Sequence, residues 1–285
     1  MREPENHDMA MHRAPDDAEQ VVYDEEAFFR SFYKASVREG PTDRNTIGAI
    51  TDAEARFHYN VTENAILQVW MTLFPPARGV MIEAQRQLAL RRRRRSMDVG
   101  AGTGHWCDFA RDVLLHTENV LVEIVPQMVQ FLEEKYASVD GVTVTSRNIT
   151  SRDFSMDELG GPVELITAIG VMFHIVDDAK WKVALENLAA ALRPGGLLVI
   201  GGAFGTETFN SQFHKTDQFE SWREFDRAEA PEGAILVNKR CRSLGTWLDA
   251  SRDVGLEVVD LVRSRRLPMA MTPENDILVL RRPAG

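Results

Sequence analysis

The chain has 285 residues, with 43 acidic against 33 basic side chains for a formal charge of −10. At 44% hydrophobic and 27% charged residues it has the makeup of a folded globular protein, which excludes a disordered one. No apolar run approaches the roughly 18–20 residues that cross a bilayer, the first 20 residues lack a signal-peptide core, and two cysteines (Cys107 and Cys241) are too few for a disulfide framework, so a reducing cytoplasm is the expected setting.

Charge is concentrated at the start. Residues 1–30 carry nine acids and three bases, and the remainder is close to neutral, so no whole-molecule field points to a charged partner. Arg outnumbers Lys 27 to 6, a bias that fits a GC-rich genome, as in a high-GC bacterium. Residues 1–20 are polar and read as a disordered acidic tail. From Asp24 the pattern turns helical, with Phe28, Phe32 and Ala35 on one face until Gly40-Pro41. A second helix is expected from Thr62, with Ala65, Ile66, Val69, Trp70 and Leu73 in one stripe and Pro75-Pro76 as its stop. A third is expected over about 80–90. Residues 21–90 thus read as a helical N-terminal cap.

At Met97 the texture changes. Short apolar runs at Met97–Val99, Val120–Ile124, Val142–Val144, Leu165–Ile169, Leu197–Ile200, Val258–Val262 and Ile277–Leu280 alternate with helical patterns. One helix carries Trp106, Phe109, Ala110 and Val113 inward. Another starts at Pro126 and turns Val129, Leu132 and Tyr136 to one face. A third follows Asp177-Asp178 with Trp181, Leu185, Leu188 and Leu192, ending at Pro194-Gly195-Gly196. Alternating strand and helix predicts an α/β fold, a doubly wound sheet whose strand C-termini share one ligand-binding edge. Residues 203–242 interrupt the alternation and read as a lid insertion within a core of residues 91–285.

The most informative segment is Asp98-Val99-Gly100-Ala101-Gly102-Thr103-Gly104, between a strand and a helix. Three glycines allow a tight turn and close approach of a ligand to the main chain. A dinucleotide fingerprint would need its third glycine at position 105, which is His105, and no Gly-Lys-Ser/Thr phosphate loop is present. The loop therefore suits a nucleoside ligand without a pyrophosphate. Glu123 closes the second strand 19 residues past Gly104, where a carboxylate can accept both hydroxyls of a ribose. Asp98 could instead cap the turn that follows it, and Glu123 could be a surface helix cap.

These residues resemble the class I S-adenosylmethionine-dependent methyltransferases over about residues 60–285. Asp98–Gly104 is similar to the family's first motif, Glu123-Ile124-Val125-Pro126 to its ribose motif, and Leu192-Arg193-Pro194-Gly195-Gly196 to the turn before the fifth strand. The resemblance implies a Rossmann-like seven-stranded sheet with the last strand antiparallel, and S-adenosyl-L-methionine as cofactor. It also implies cofactor contacts from Asp98 at the methionine end, from Gly100, Ala101 and Gly102 along the loop, and from Glu123 with Ile124 at the ribose. Asn148 with Ile149 would lie at the adenine, Gly170 at the fourth strand's exit, and Tyr59 over the methionine carboxylate. At the adenine position the family often has Asp, so Asn148 brings an acceptor without the charge.

Methyl transfer from a sulfonium is an in-line displacement served by alignment and water exclusion, with a general base where the acceptor must lose a proton. His174, just past the fourth strand, is the candidate base. The alternative is a structural His bonded to backbone. His214, Trp222 and Phe225 are candidates for the acceptor pocket. Arg91–Arg95 could bind nucleic acid, but the run leads straight into a strand and no second basic cluster supports it, so a nucleic-acid partner is disfavoured. No metal pattern is evident. The expected activity is methylation of an oxygen, less readily a nitrogen, of a small organic metabolite. An RNA or protein methyltransferase and a non-catalytic cofactor-binding protein are the rival readings, and a homodimer stays open.

Overall fold

The computed structural model describes residues 94–205, 207–210, 239–263 and 276–285, together with Ile66. Nine strands occur there: β1 (Arg95–Val99), β2 (Glu118–Val122), β3 (Val142–Thr145), β4 (Val163–Ile169), β5 (Leu192–Gly202), β6 (Thr208–Asn210), β7 (Lys239–Cys241), β8 (Glu257–Val262) and β9 (Asp276–Arg281). Four α-helices join them: α1 (His105–Asp112), α2 (Pro126–Tyr136), α3 (Asp178–Ala191) and α4 (Leu244–Asp253). Seven strands form one sheet in the order β3-β2-β1-β4-β5-β9-β8, with β9 antiparallel to both neighbours. This is the Rossmann-like sheet expected from the alternation. Strand order reverses between β1 and β4, which opens a crevice at their C-terminal ends.

Local chemistry accounts for the elements. Gly104 stands before α1 in the left-handed region at φ 80°, and Pro126 opens α2. The Asp177 carboxylate accepts from the Lys180 N–H at 2.8 Å, and the Ser243 hydroxyl caps α4 through Thr246 N. Both sheet faces are covered. Met97, Val99, Ile166, Ala168 and Leu198 pack with Trp181, Leu185 and Trp247 on one side. Leu165, Leu197, Val199 and Val279 pack with Trp106, Phe109 and the helical Ile66 on the other. Among the described residues no helix is long and apolar enough to cross a membrane.

Some boundaries differ from expectation. Val113 is 49% exposed because α1 has ended one residue before it. Met128 rather than Val129 takes the buried place on α2. α3 stops at Ala191, and Leu192–Gly196 belongs to β5, where Gly195 N donates to Arg282 O and Arg282 N to Gly196 O. The 203–242 segment contributes an unforeseen antiparallel ribbon, β6 with β7. The acidic tail, the helical cap apart from Ile66, and residues 211–238 lie outside the described residues.

Candidate active site

The crevice is lined by three loops, each set by a strand end. After β1 the chain turns through Gly100, Gly102 and Gly104, all in the left-handed region. Gly100 N and Ala101 N both donate to Val122 O, which ties the loop to the end of β2. The glycines serve different ends. A Cβ on Gly100 would lie 2.5 Å from Val171 Cγ2, and one on Gly104 would lie 2.4 Å from the Tyr136 hydroxyl oxygen. At Gly102 a Cβ would meet only Gly100 O at 3.9 Å, so this glycine faces open space. Ala101 is buried against Cys107, Leu121 and Leu132.

Asp98 and Glu123 are both buried. The β1–β4 register sets Asp98 beside Thr167, and the Thr167 hydroxyl donates to Asp98 Oδ1 at 2.7 Å. Asp98 Oδ2 is buried with no partner among the described residues. Burial, with the charges of Glu123 and Asp108 adding and the Thr167 bond opposing, pushes the Asp98 carboxyl up to about 7. Glu123 is no surface cap. Its Oε2 accepts from Gly102 N at 2.9 Å and its Oε1 from Val125 N at 3.0 Å, so it holds the glycine loop and the start of α2 together. Burial raises its pKa, and the backbone N–H bonds oppose that rise.

At the β3 end, Asn148 Oδ1 accepts from Thr150 N at 2.8 Å and from Thr150 Oγ1 at 2.9 Å. Ile149 is buried in the core, and Ile124 is half-buried beside Glu123. After β4, Gly170 has φ 74° with nothing within 4 Å of where a Cβ would lie. The chain then forms a 3-10 turn, Met172–His174, on which His174 is half-buried, its ring 4.5 Å from that of Phe173. Tyr59, His214, Trp222 and Phe225 lie outside the described residues.

Several supporting residues escape sequence reading. Thr167 looks like any strand residue until the register is known. The Lys135 ammonium donates to Thr103 O and Asp108, while the Tyr136 hydroxyl shares its one hydrogen between Gly104 O and Asp108 Oδ1, so α2 braces the glycine loop. Arg242, buried immediately after β7, donates to Ile175 O and Val176 O and so holds the turn that carries His174. Arg95 is committed to structure. It pairs with Glu118 and donates to the carbonyls of Leu159, Gly160 and Gly161. Arg91–Arg93 lie outside the described residues. Among the described residues no group of three or more His, Cys, Asp or Glu could hold a metal ion.

A parallel sheet with a glycine loop after β1 and a buried acid after β2 defines a class of nucleoside-cofactor proteins. Residues 77–261 match the family model of the methyltransferase domain, and the chain belongs to that family. It is a methyltransferase. No curated protein sequence matches the chain. Two solved structures share the fold at low identity. N-methyltransferase NodS from Bradyrhizobium japonicum WM9, in complex with S-adenosylhomocysteine, is 13% identical with a TM-score of 0.53, over 90% of this chain and 99% of its own. The 1,6-didemethyltoxoflavin-N1-methyltransferase of Burkholderia thailandensis, with its substrate and S-adenosylhomocysteine bound, is 17% identical with a TM-score of 0.55, over 99% and 100%.

Proposed function

We propose that the chain methylates a small organic acceptor, at an oxygen in the first reading and at a nitrogen in the second. The observation that supports the donor site most directly is Asp98 Oδ2, a buried acceptor with no partner among the described residues at the mouth of the β1–β4 crevice. A buried carboxylate oxygen without a donor is costly unless a ligand supplies one, and the ammonium of a methionine moiety is such a donor. Open space at Gly102 and Gly170 fits the same ligand. When bound, S-adenosylmethionine supplies an electrophilic methyl group on a charged sulfonium.

The chain's residues divide the work along the sheet edge. Glu123 uses its remaining lone pairs on the ribose hydroxyls, and Asp98 anchors the methionine end. On this reading the nucleobase lies beyond β2, toward β3, and the acceptor beyond β1, toward β4 and β5, along the observed strand order. There His174 can take the proton of an acceptor hydroxyl on a ring nitrogen, which favours oxygen. Nitrogen is the second reading, supported by the two solved structures named above being N-methyltransferases by name. Both cysteines are free and buried, which suits a reducing cytoplasm.

The test is calorimetry with S-adenosylhomocysteine on the full chain, followed by a methyl-transfer screen of hydroxylated and amine metabolites. Binding that is lost on Glu123→Lys supports the donor site. No uptake by the wild-type chain sinks it. Near-normal turnover in His174→Ala ends the base assignment. Binding without transfer to any acceptor favours a non-catalytic protein.

A further inference from the structure

The loop after β3 is held from outside by a residue of α3. The Asn187 amide nitrogen donates to Ile149 O at 2.8 Å and to Ser151 O at 2.7 Å, spending both its hydrogens on one loop. Within the loop, Thr150 N–H and hydroxyl both donate to Asn148 Oδ1, and Ser151 N donates to Asn148 O at 3.1 Å. A carbonyl oxygen has two lone pairs, so the Asn148 side-chain oxygen is fully engaged inside the loop. A carboxylate at 148 would keep a second oxygen, but an amide does not. Of the consecutive amides 149–151, those of Thr150 and Ser151 donate within the loop.

We propose that Asn187 is the positioning residue that sets nucleobase selectivity in the donor site, with the Asn148 side-chain oxygen shaping the loop rather than accepting from the base. The idea rests on the donor reading above, in which the base lies over the β3 end. The base edge is then read by main-chain groups of residues 148–150, and their aim depends on the two carbonyls that Asn187 fixes. Asn187 lies on the covered face of the loop and acts only through it. Glu123, just after β2, and Asp98, in β1, do not touch this clamp, so sugar and methionine binding are independent of it.

Three probes separate the possibilities in the full chain: S-adenosylhomocysteine, S-inosylhomocysteine with an altered base edge, and S-ribosylhomocysteine with no base. Asn187→Ala is expected to weaken S-adenosylhomocysteine binding about tenfold, the size of one net hydrogen bond. It is also expected to shrink the adenosyl-over-inosyl preference and to leave S-ribosylhomocysteine affinity unchanged. Asn187→Ser keeps one donor, should fall between, and guards against an alanine variant that does not fold. Equal losses for base-bearing and base-free probes, or an unchanged adenosyl preference, overturn the proposal. Failure of the wild-type chain to bind S-adenosylhomocysteine is a separate outcome that removes the donor site itself and this assignment with it.

Discussion

The Thr167 hydroxyl donates to one oxygen of Asp98 at 2.7 Å and leaves the other oxygen of that carboxylate buried without a partner among the described residues. The pair exists because β1 and β4 run parallel with Asp98 opposite Thr167. Burial, against the opposing Thr167 bond, raises the carboxyl from its ordinary 3.8 to about 7. Between those values the folded chain holds a proton that the unfolded chain has released. The stability this confers is complete below about 3.8 and lost as pH rises through 7. Asp98→Asn cannot ionise, so without ligand it should unfold at higher temperature than wild type above pH 7, with the gap closing in acid. Donor binding runs the other way, since the carboxylate is what an ammonium needs. Wild-type affinity for S-adenosylhomocysteine should rise with pH by up to about tenfold per unit below 7, and the Asn variant should be weaker and flat. Parallel pH profiles for the two would contradict this.

Glu123 gives a second test that separates shape from charge. Its two oxygens accept from Gly102 N and Val125 N, so both face donors. Glu123→Gln fills the same space but turns an amide NH2 toward one of those N–H groups. Stranding that donor should cost about 1–3 kcal/mol of unfolding free energy, read by urea denaturation, together with loss of S-adenosylhomocysteine binding. Full stability in the Gln variant would mean that the loop does not depend on this carboxylate.

The sheet and the ligand edge were legible because their signals are local. Six of the seven apolar runs fall within their strands, the Val120–Ile124 run overshoots β2 by two residues, and Gly100–Gly104 and Glu123 follow strand ends as their spacing implies. What was illegible depends on register or on residues far apart in the chain. Thr167 becomes informative only when β4 is aligned with β1. Asn187 and Arg242 act on loops 36–38 and 66–67 residues away, and no periodicity encodes such pairs. The partners of Arg95 were illegible too, because composition cannot show which guanidinium meets carbonyls. The β6–β7 ribbon escaped because its strands span three residues each, too short for an alternating pattern to register.

The loop glycines should part company on mutation. Gly102→Ala meets open space and carries only the left-handed backbone cost, roughly 1–2 kcal/mol. It should fold, yet bind S-adenosylhomocysteine poorly because the methyl group enters the ligand's space. Gly100→Ala carries the same backbone cost and also drives a Cβ to 2.5 Å from Val171 Cγ2. Its larger destabilisation should be partly recovered by adding Val171→Ala, a coupling measurable in a double-mutant cycle of unfolding free energies. Additive effects would show that the two residues do not press on each other.

Arg242 supplies the last test, because its surroundings predict a buried cation that serves structure before charge. Its guanidinium donates to Ile175 O at 2.9 Å, Val176 O at 3.0 Å and Asp178 Oδ1 at 3.1 Å, and lies 4.4 Å from the centre of the Trp181 ring. Burial, with the neighbouring Arg240 adding, lowers its pKa to about 10, so it stays charged at neutral pH. Arg242→Met preserves much of the packing on Trp181 but strands two carbonyls, at roughly 1–3 kcal/mol for each one left dry. Arg242→Lys keeps the charge but lacks the planar fork that reaches two carbonyls and a carboxylate at once. Stability by urea denaturation should therefore rank wild type above Lys above Met. S-adenosylhomocysteine affinity should hold in both variants, since Arg242 bonds to the turn after β4 and to Asp178 rather than to the glycine loop or Glu123. A Lys variant as stable as wild type would mean that one charge, and not the fork, holds the turn under His174.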